Sequence, residues 1–140
     1  MDKVTVTWAQ KLQFIGTDST KHSVAISSPD EENGIGMKPS ELLLVSLASC
    51  TAYDVVNILR KKRKKMLRLR VEAEGQHQDA PPWAFTRIHL HYVVAGEDIS
   101  ERDVAKTIEL SHAKHCSVSA TLKKAVELTH DYEIVGWENF

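Results

Sequence analysis

Hydrophobic and polar residues alternate from Val4 to Trp8 in VTVTW, which puts Val4, Val6 and Trp8 on one face and predicts a strand. KLQFIG predicts a second strand that ends in the Gly16-Thr17-Asp18 turn, and HSVAIS predicts a third. Residues 28–39, SPDEENGIGMKP, are polar and hold two glycines and two prolines, so they predict a loop. At Pro39 the pattern changes. Proline suits the first helical turn, where its missing N–H costs nothing, and Glu41 adds negative charge that the helix dipole favours. A helix is expected from Pro39 to about Leu59. Its first half is apolar nearly all round, through Leu42, Leu43, Leu44, Val45, Leu47 and Ala48, which predicts a central helix packed on several sides. A polar stripe follows it through Ser46, Cys50, Tyr53, Asn57 and Arg60, at helical spacing.

The helix runs out into RKKRKK, Arg60 to Lys65. LRLRVEAEGQ and AFTRIHLHYVVAG both alternate and predict two long strands, joined by HQDAPPW. Residues 100–114 predict an amphipathic helix with Ser100 as N-cap and Val104, Ile108, Leu110 and Ala113 toward the core. A further helix is expected from Cys116 or Ser117, carrying Val118, Ala120, Leu122 and Ala125, and ELTHDYEIVGW closes as a strand. The order βββ-α-ββ-αα-β is an α+β pattern. With 140 residues and no internal repeat, residues 1–140 are expected to form a single domain.

Composition narrows the function classes. Apolar residues make up 42% of the chain and charged residues 26%, as in globular proteins that fold without metals or disulfides. A net charge of −1 gives no global field toward nucleic acid or a membrane. MDKVTVTWAQ has no apolar leader core, and the longest nearly apolar run, Leu42 to Ala48, is interrupted by Ser46 and too short to span a bilayer. A cytoplasmic protein without membrane or nucleic-acid partners is the expectation. RKKRKK lacks interleaved aromatics and reads as the cationic end of a helix.

Candidate chemistry rests on two cysteines, Cys50 and Cys116, 66 residues apart. Free cysteines often simply pack in a core. Here Cys50 lies on the polar stripe and Cys116 at a helix start, where backbone N–H groups and the dipole favour a thiolate. Asp54, one turn after Cys50, acts the other way on that thiol. His112, His115 and Cys116 cluster in HAKHCS, and His89 and His91 share a strand face. With no C-x2-C and no H-E-x-x-H, no metal is expected. The histidines read instead as helix-end and partly exposed strand residues.

KPSELLLVSLASCTAYDVVNIL followed by HCSVSATL resembles the OsmC/Ohr family (osmotically inducible protein C and organic hydroperoxide resistance protein), and its wording is similar to the small OsmC-like branch. The resemblance covers most of the chain, including the element order. It implies an OsmC-like fold in an intertwined homodimer, with two central helices against the sheets and active sites at the subunit interface. It further implies a thiol peroxidase for organic hydroperoxides that needs no cofactor. Cys50 matches the peroxidatic thiol and Cys116 the resolving one, and a dithiol such as a lipoylated protein would reduce the resulting disulfide. Glu41 is the carboxylate nearest to the family's catalytic glutamate, whose own place falls on Ser40. Glu41 and Cys50 are nine residues apart, roughly 13 Å along a straight helix and on opposite sides, so Glu41 would serve a thiol across a dimer interface or through a helix break. Family peroxidases pair the thiol with an arginine from the N-terminal strands, and here no arginine precedes Arg60. That departure motivates the alternative of a redox-responsive or small-ligand-binding protein without efficient peroxidase activity.

Overall fold

The computed structural model describes all 140 residues, apart from the side chains of Met66 and Leu67. The chain divides into two compact units, Met1–Leu43 and Leu44–Phe140. In the first, strands β1 (Thr5–Gln10), β2 (Gln13–Thr17) and β3 (Ser23–Ser27) form an antiparallel sheet in that order. The alternation on β1 is present, yet it faces outward: Val4, Val6 and Trp8 are all exposed. The loop after β3 is held by Asp30, which accepts from the backbone N–H and the side chain of Asn33. Gly36 passes so close to β3 that a Cβ there would lie 2.5 Å from the Ala25 carbonyl carbon.

Helix α1 (Pro39–Lys61) starts at the expected proline and carries Glu41 in its first turn and Arg60 and Lys61 in its last. Within one chain it is not packed on several sides. Leu47, Thr51, Val55 and Leu59 form one buried stripe at four-residue spacing, while Leu43, Val45 and Tyr53 are exposed. Pro39–Lys61 as a whole is long and apolar enough to cross a membrane by length and composition alone, although the run Leu42 to Ala48 within it is not. The helix's polar side chains Thr51 and Asp54 are tied by hydrogen bonds to other elements of the second unit. RKKRKK is the end of the helix, as read: Arg63 takes a positive φ of 58° and the Lys64 N–H reaches back to the Leu59 carbonyl.

The second sheet runs β4 (Lys65–His77), β5 (Phe85–Glu97), β6 (Glu127–Ile134), antiparallel and then parallel. The alternation of β5 turns Ile88, Leu90, Tyr92 and Val94 into the core and leaves His89 and His91 on the opposite face. There the two imidazoles interleave with β6: both bond Asp131 Oδ1, at 2.9 and 2.7 Å, and His91 also reaches Glu133. The core joins Leu47, Val55 and Leu59 of α1 to these β5 residues and to Val104 and Ile108.

Helix α2 (Glu101–Leu110) opens as expected, with Ser100 and Asp103 forming a reciprocal capping box. It stops short of residue 114. A π-helical turn, Ser111–His115, follows before α3 (Ser117–Leu122). The wider turn shifts the face, so Ala113 is exposed rather than buried and Ser111 is buried instead, while Thr107 is already buried within α2. Ala120 and Ala125 are likewise exposed, and Ala125 lies beyond the end of α3.

Candidate functional site

Cys50 sits in mid-α1, partly buried against the core cluster that contains Cys116. Cys116 is 2% exposed and caps α3, where its Sγ accepts the Ser119 N–H at 3.2 Å. The fold brings the two thiols to the same buried cluster as neighbours, and both are free. The expectation that a helix start would favour the Cys116 thiolate is overturned. Burial first, and then the neighbouring Cys50 thiol, push Cys116 up to about 11 against the Ser119 and Val118 N–H groups.

A buried polar network surrounds the pair. The Cys116 N–H donates to the Ser111 carbonyl at 2.8 Å, and the Ser111 hydroxyl donates to Asp54 Oδ2 at 2.7 Å. On the other side, Ser119 Oγ lies 2.8 Å from His112 Nδ1, and His112 Nε2 lies 2.9 Å from the Tyr92 hydroxyl. That hydroxyl is also 2.7 Å from Thr51 Oγ1. Burial pushes the fully buried Tyr92 up to about 12. It pushes His112 down to about 4, with the neighbouring His130 acting the same way, so the imidazole is neutral. His130 stacks on it with ring centroids 5.1 Å apart and planes 11° apart.

His112 therefore does not serve as a cation at a helix end. Thr51, Tyr92, Ser111, His112 and Ser119 were not singled out together by the sequence. One signal was present: Tyr92 falls on the inward phase of a strand whose other inward residues are aliphatic, so its hydroxyl needs a buried partner. Glu41 belongs to the first unit, is exposed, and pairs with Lys38 at 3.4 Å. Among the described residues no group of three His, Cys, Asp or Glu side chains is placed to hold a metal ion.

Residues 29–131 match the model of the OsmC-like protein family. The chain belongs to this family. It is 35% identical over 131 residues to Protein YhfA of Escherichia coli, spanning 94% of this chain and 96% of YhfA. A hypothetical protein from Aquifex aeolicus has the same fold, at TM-score 0.86 and 27% identity over 97% of each chain. An organic hydroperoxide resistance protein OsmC from Legionella pneumophila shares the fold at TM-score 0.70 and 12% identity, over 95% of this chain and 96% of its own. The α+β order of two three-stranded sheets and three helices is thus that of OsmC-like proteins.

Proposed function

We propose that this OsmC-like chain is a thiol-dependent peroxidase for organic hydroperoxides. The observation that carries the reading is the placement of Cys50 and Cys116, two thiols 66 residues apart in sequence, at one buried cluster. The Cys50 sulfur, as thiolate, attacks the distal oxygen of the hydroperoxide. The O–O bond breaks, the alkoxide takes a proton to leave as an alcohol, and Cys50 becomes a sulfenic acid. Cys116 attacks that sulfur, a disulfide forms, and the sulfenic oxygen leaves as water with the Cys116 proton. A small or protein-bound dithiol then restores both thiols and is itself oxidised. The apolar core cluster against which Cys50 packs, with Leu47, Val55 and Leu90 among its members, favours alkyl and aryl hydroperoxides over hydrogen peroxide.

A homodimer belongs to this reading. Val4, Val6 and Trp8 in and next to β1 and Leu43, Val45 and Tyr53 of α1 are exposed apolar positions for a second copy to cover. Glu41 would act on a partner's thiol, and sedimentation across a concentration series tests the dimer. For the reaction, cumene hydroperoxide turnover is followed with dihydrolipoamide as reductant. Wild type is expected to turn over and Cys50→Ser to be inactive; equal rates in the two would end the proposal.

A further inference from the structure

Two hydrogen-bonded routes fasten Cys116 to the turn of α1 that carries Cys50. One runs through the Cys116 N–H, the Ser111 carbonyl and hydroxyl, and Asp54. The other starts at Cys116 Sγ, which accepts the Ser119 N–H. It continues through the Ser119 hydroxyl, His112 and the Tyr92 hydroxyl, and ends on Thr51. Thr51 and Asp54 stand one and four residues after Cys50.

We infer that His112 is a positioning residue for the Cys50–Cys116 disulfide, a bridge that holds the first turn of α3, and Cys116 with it, in register with Cys50. Both ring nitrogens are engaged, by Ser119 at 2.8 Å and by Tyr92 at 2.9 Å. A neutral imidazole offers one donor and one acceptor, and each hydroxyl partner can play either part, so both bonds are satisfied in either tautomer. The stack on His130 fixes the ring plane. Disulfides demand a narrow Cβ–Cβ separation and torsion, so a small drift of α3 away from α1 lowers the chance that the sulfurs meet. His112 touches neither sulfur in this scheme; it acts through Ser119.

The inference rests on the reading of Cys50 and Cys116 as a redox pair, but not on a hydroperoxide as their oxidant. The test therefore uses glutathione disulfide. Each reduced protein takes one glutathione disulfide and yields one intramolecular disulfide and two glutathiones. The full chain is equilibrated in glutathione buffers, alkylated, and the disulfide fraction is read by intact mass. Far-UV circular dichroism checks the fold of every variant. His112→Leu is expected to lower the effective concentration of the thiol pair about tenfold, which raises its reduction potential by about 30 mV. Tyr92→Phe, which cuts the bridge one residue further on, lowers it in the same direction. His112→Gln carries an NH2 donor group and a carbonyl acceptor on a single amide and is expected to stay within about threefold of wild type.

Wild-type values in His112→Leu or in Tyr92→Phe would overturn the inference, as would equal losses in His112→Gln and His112→Leu. If His112→Leu does not fold, the comparison of Tyr92→Phe with His112→Gln decides, and equal values overturn it. Failure of the wild type to form the bond at all overturns it together with the redox pair. A wild type that forms the bond but turns over no hydroperoxide ends only the peroxidase proposal.

Discussion

The Tyr92 hydroxyl is the most exacting point in the core. Tyr92 is fully buried among Ile88, Leu90 and Val94, and its oxygen has two polar partners, Thr51 Oγ1 at 2.7 Å and His112 Nε2 at 2.9 Å. Tyr92→Phe keeps the ring and opens almost no cavity, so its cost is that of the hydroxyl alone. Two buried hydrogen bonds are lost at about 0.5–1 kcal/mol each, and one stranded partner adds about 1–2 kcal/mol of unrecovered desolvation. Thr51 has a poor fallback in the Ala48 carbonyl at 3.5 Å, and His112 Nε2 faces a phenyl edge. The expected loss is about 2–4 kcal/mol. With a urea m-value of about 2 kcal/mol/M, the unfolding midpoint falls by about 1–2 M with m unchanged. A second signature appears at high pH. Burial raises Tyr92 from 10.0 to about 12, so the folded state holds the phenolic proton more tightly than the unfolded one. That contribution is complete below about pH 10 and is lost as pH rises toward 12. The wild type should weaken across this window more steeply than Tyr92→Phe. A midpoint shift under about 0.5 M, or equal slopes above pH 10, would refute the account of this hydroxyl.

The network around the thiols predicts acid sensitivity as well. His112 is depressed from 6.5 to about 4, so its contribution is present above about pH 6.5 and fades as pH falls toward 4; urea midpoints across that range should slope less in His112→Gln. Gly36→Ala drives a Cβ to 2.5 Å from the Ala25 carbonyl, which is backbone and cannot rotate away, so a loss of at least about 2 kcal/mol is expected in thermal unfolding. Ser100→Ala removes the α2 capping box and should cost about 1 kcal/mol while leaving the glutathione equilibrium of the thiol pair unchanged, since neither route to Cys116 passes through it. Under the proposed reaction, Cys116→Ser stops at the sulfenic acid, which a dimedone adduct on Cys50 reports by peptide mass; absence of that adduct after hydroperoxide treatment would exclude Cys50 as the attacking thiol.

The elements were legible because their patterns are local. Each predicted strand and helix start corresponds to an element, and Pro39, Ser100 and Cys116 act at helix beginnings for the reasons that single them out in the sequence. What the pattern misplaced was burial. The apolar half of α1 suggests contact all round, yet its buried stripe includes Thr51 and omits Val45. A polar residue on that stripe is tolerated because Tyr92 of β5 brings it a partner from 41 positions away, which no window along the chain can contain. The π-helical turn was equally hidden. SHAKH continues a helical pattern without a break, and its extra width is what turns His112 toward Tyr92 and Ala113 toward solvent.

Cys116 shows how two correct local arguments yield to a third. The α3 start and the Ser119 N–H both pull its ionisation downward, as a helix cap should. Exclusion from water and the neighbouring Cys50 pull upward, and they prevail. The buried Cys116 thiol therefore keeps its proton. That asymmetry is suited to the proposed roles. A thiol at 2% exposure is shielded from a bulky hydroperoxide, whereas Cys50 is only partly buried. Once Cys50 carries the sulfenic oxygen, a protonated Cys116 supplies both the nucleophilic sulfur and the hydrogen that lets the oxygen depart as water. Under the proposed reaction, burial rather than helix position divides the labour between the two sulfurs.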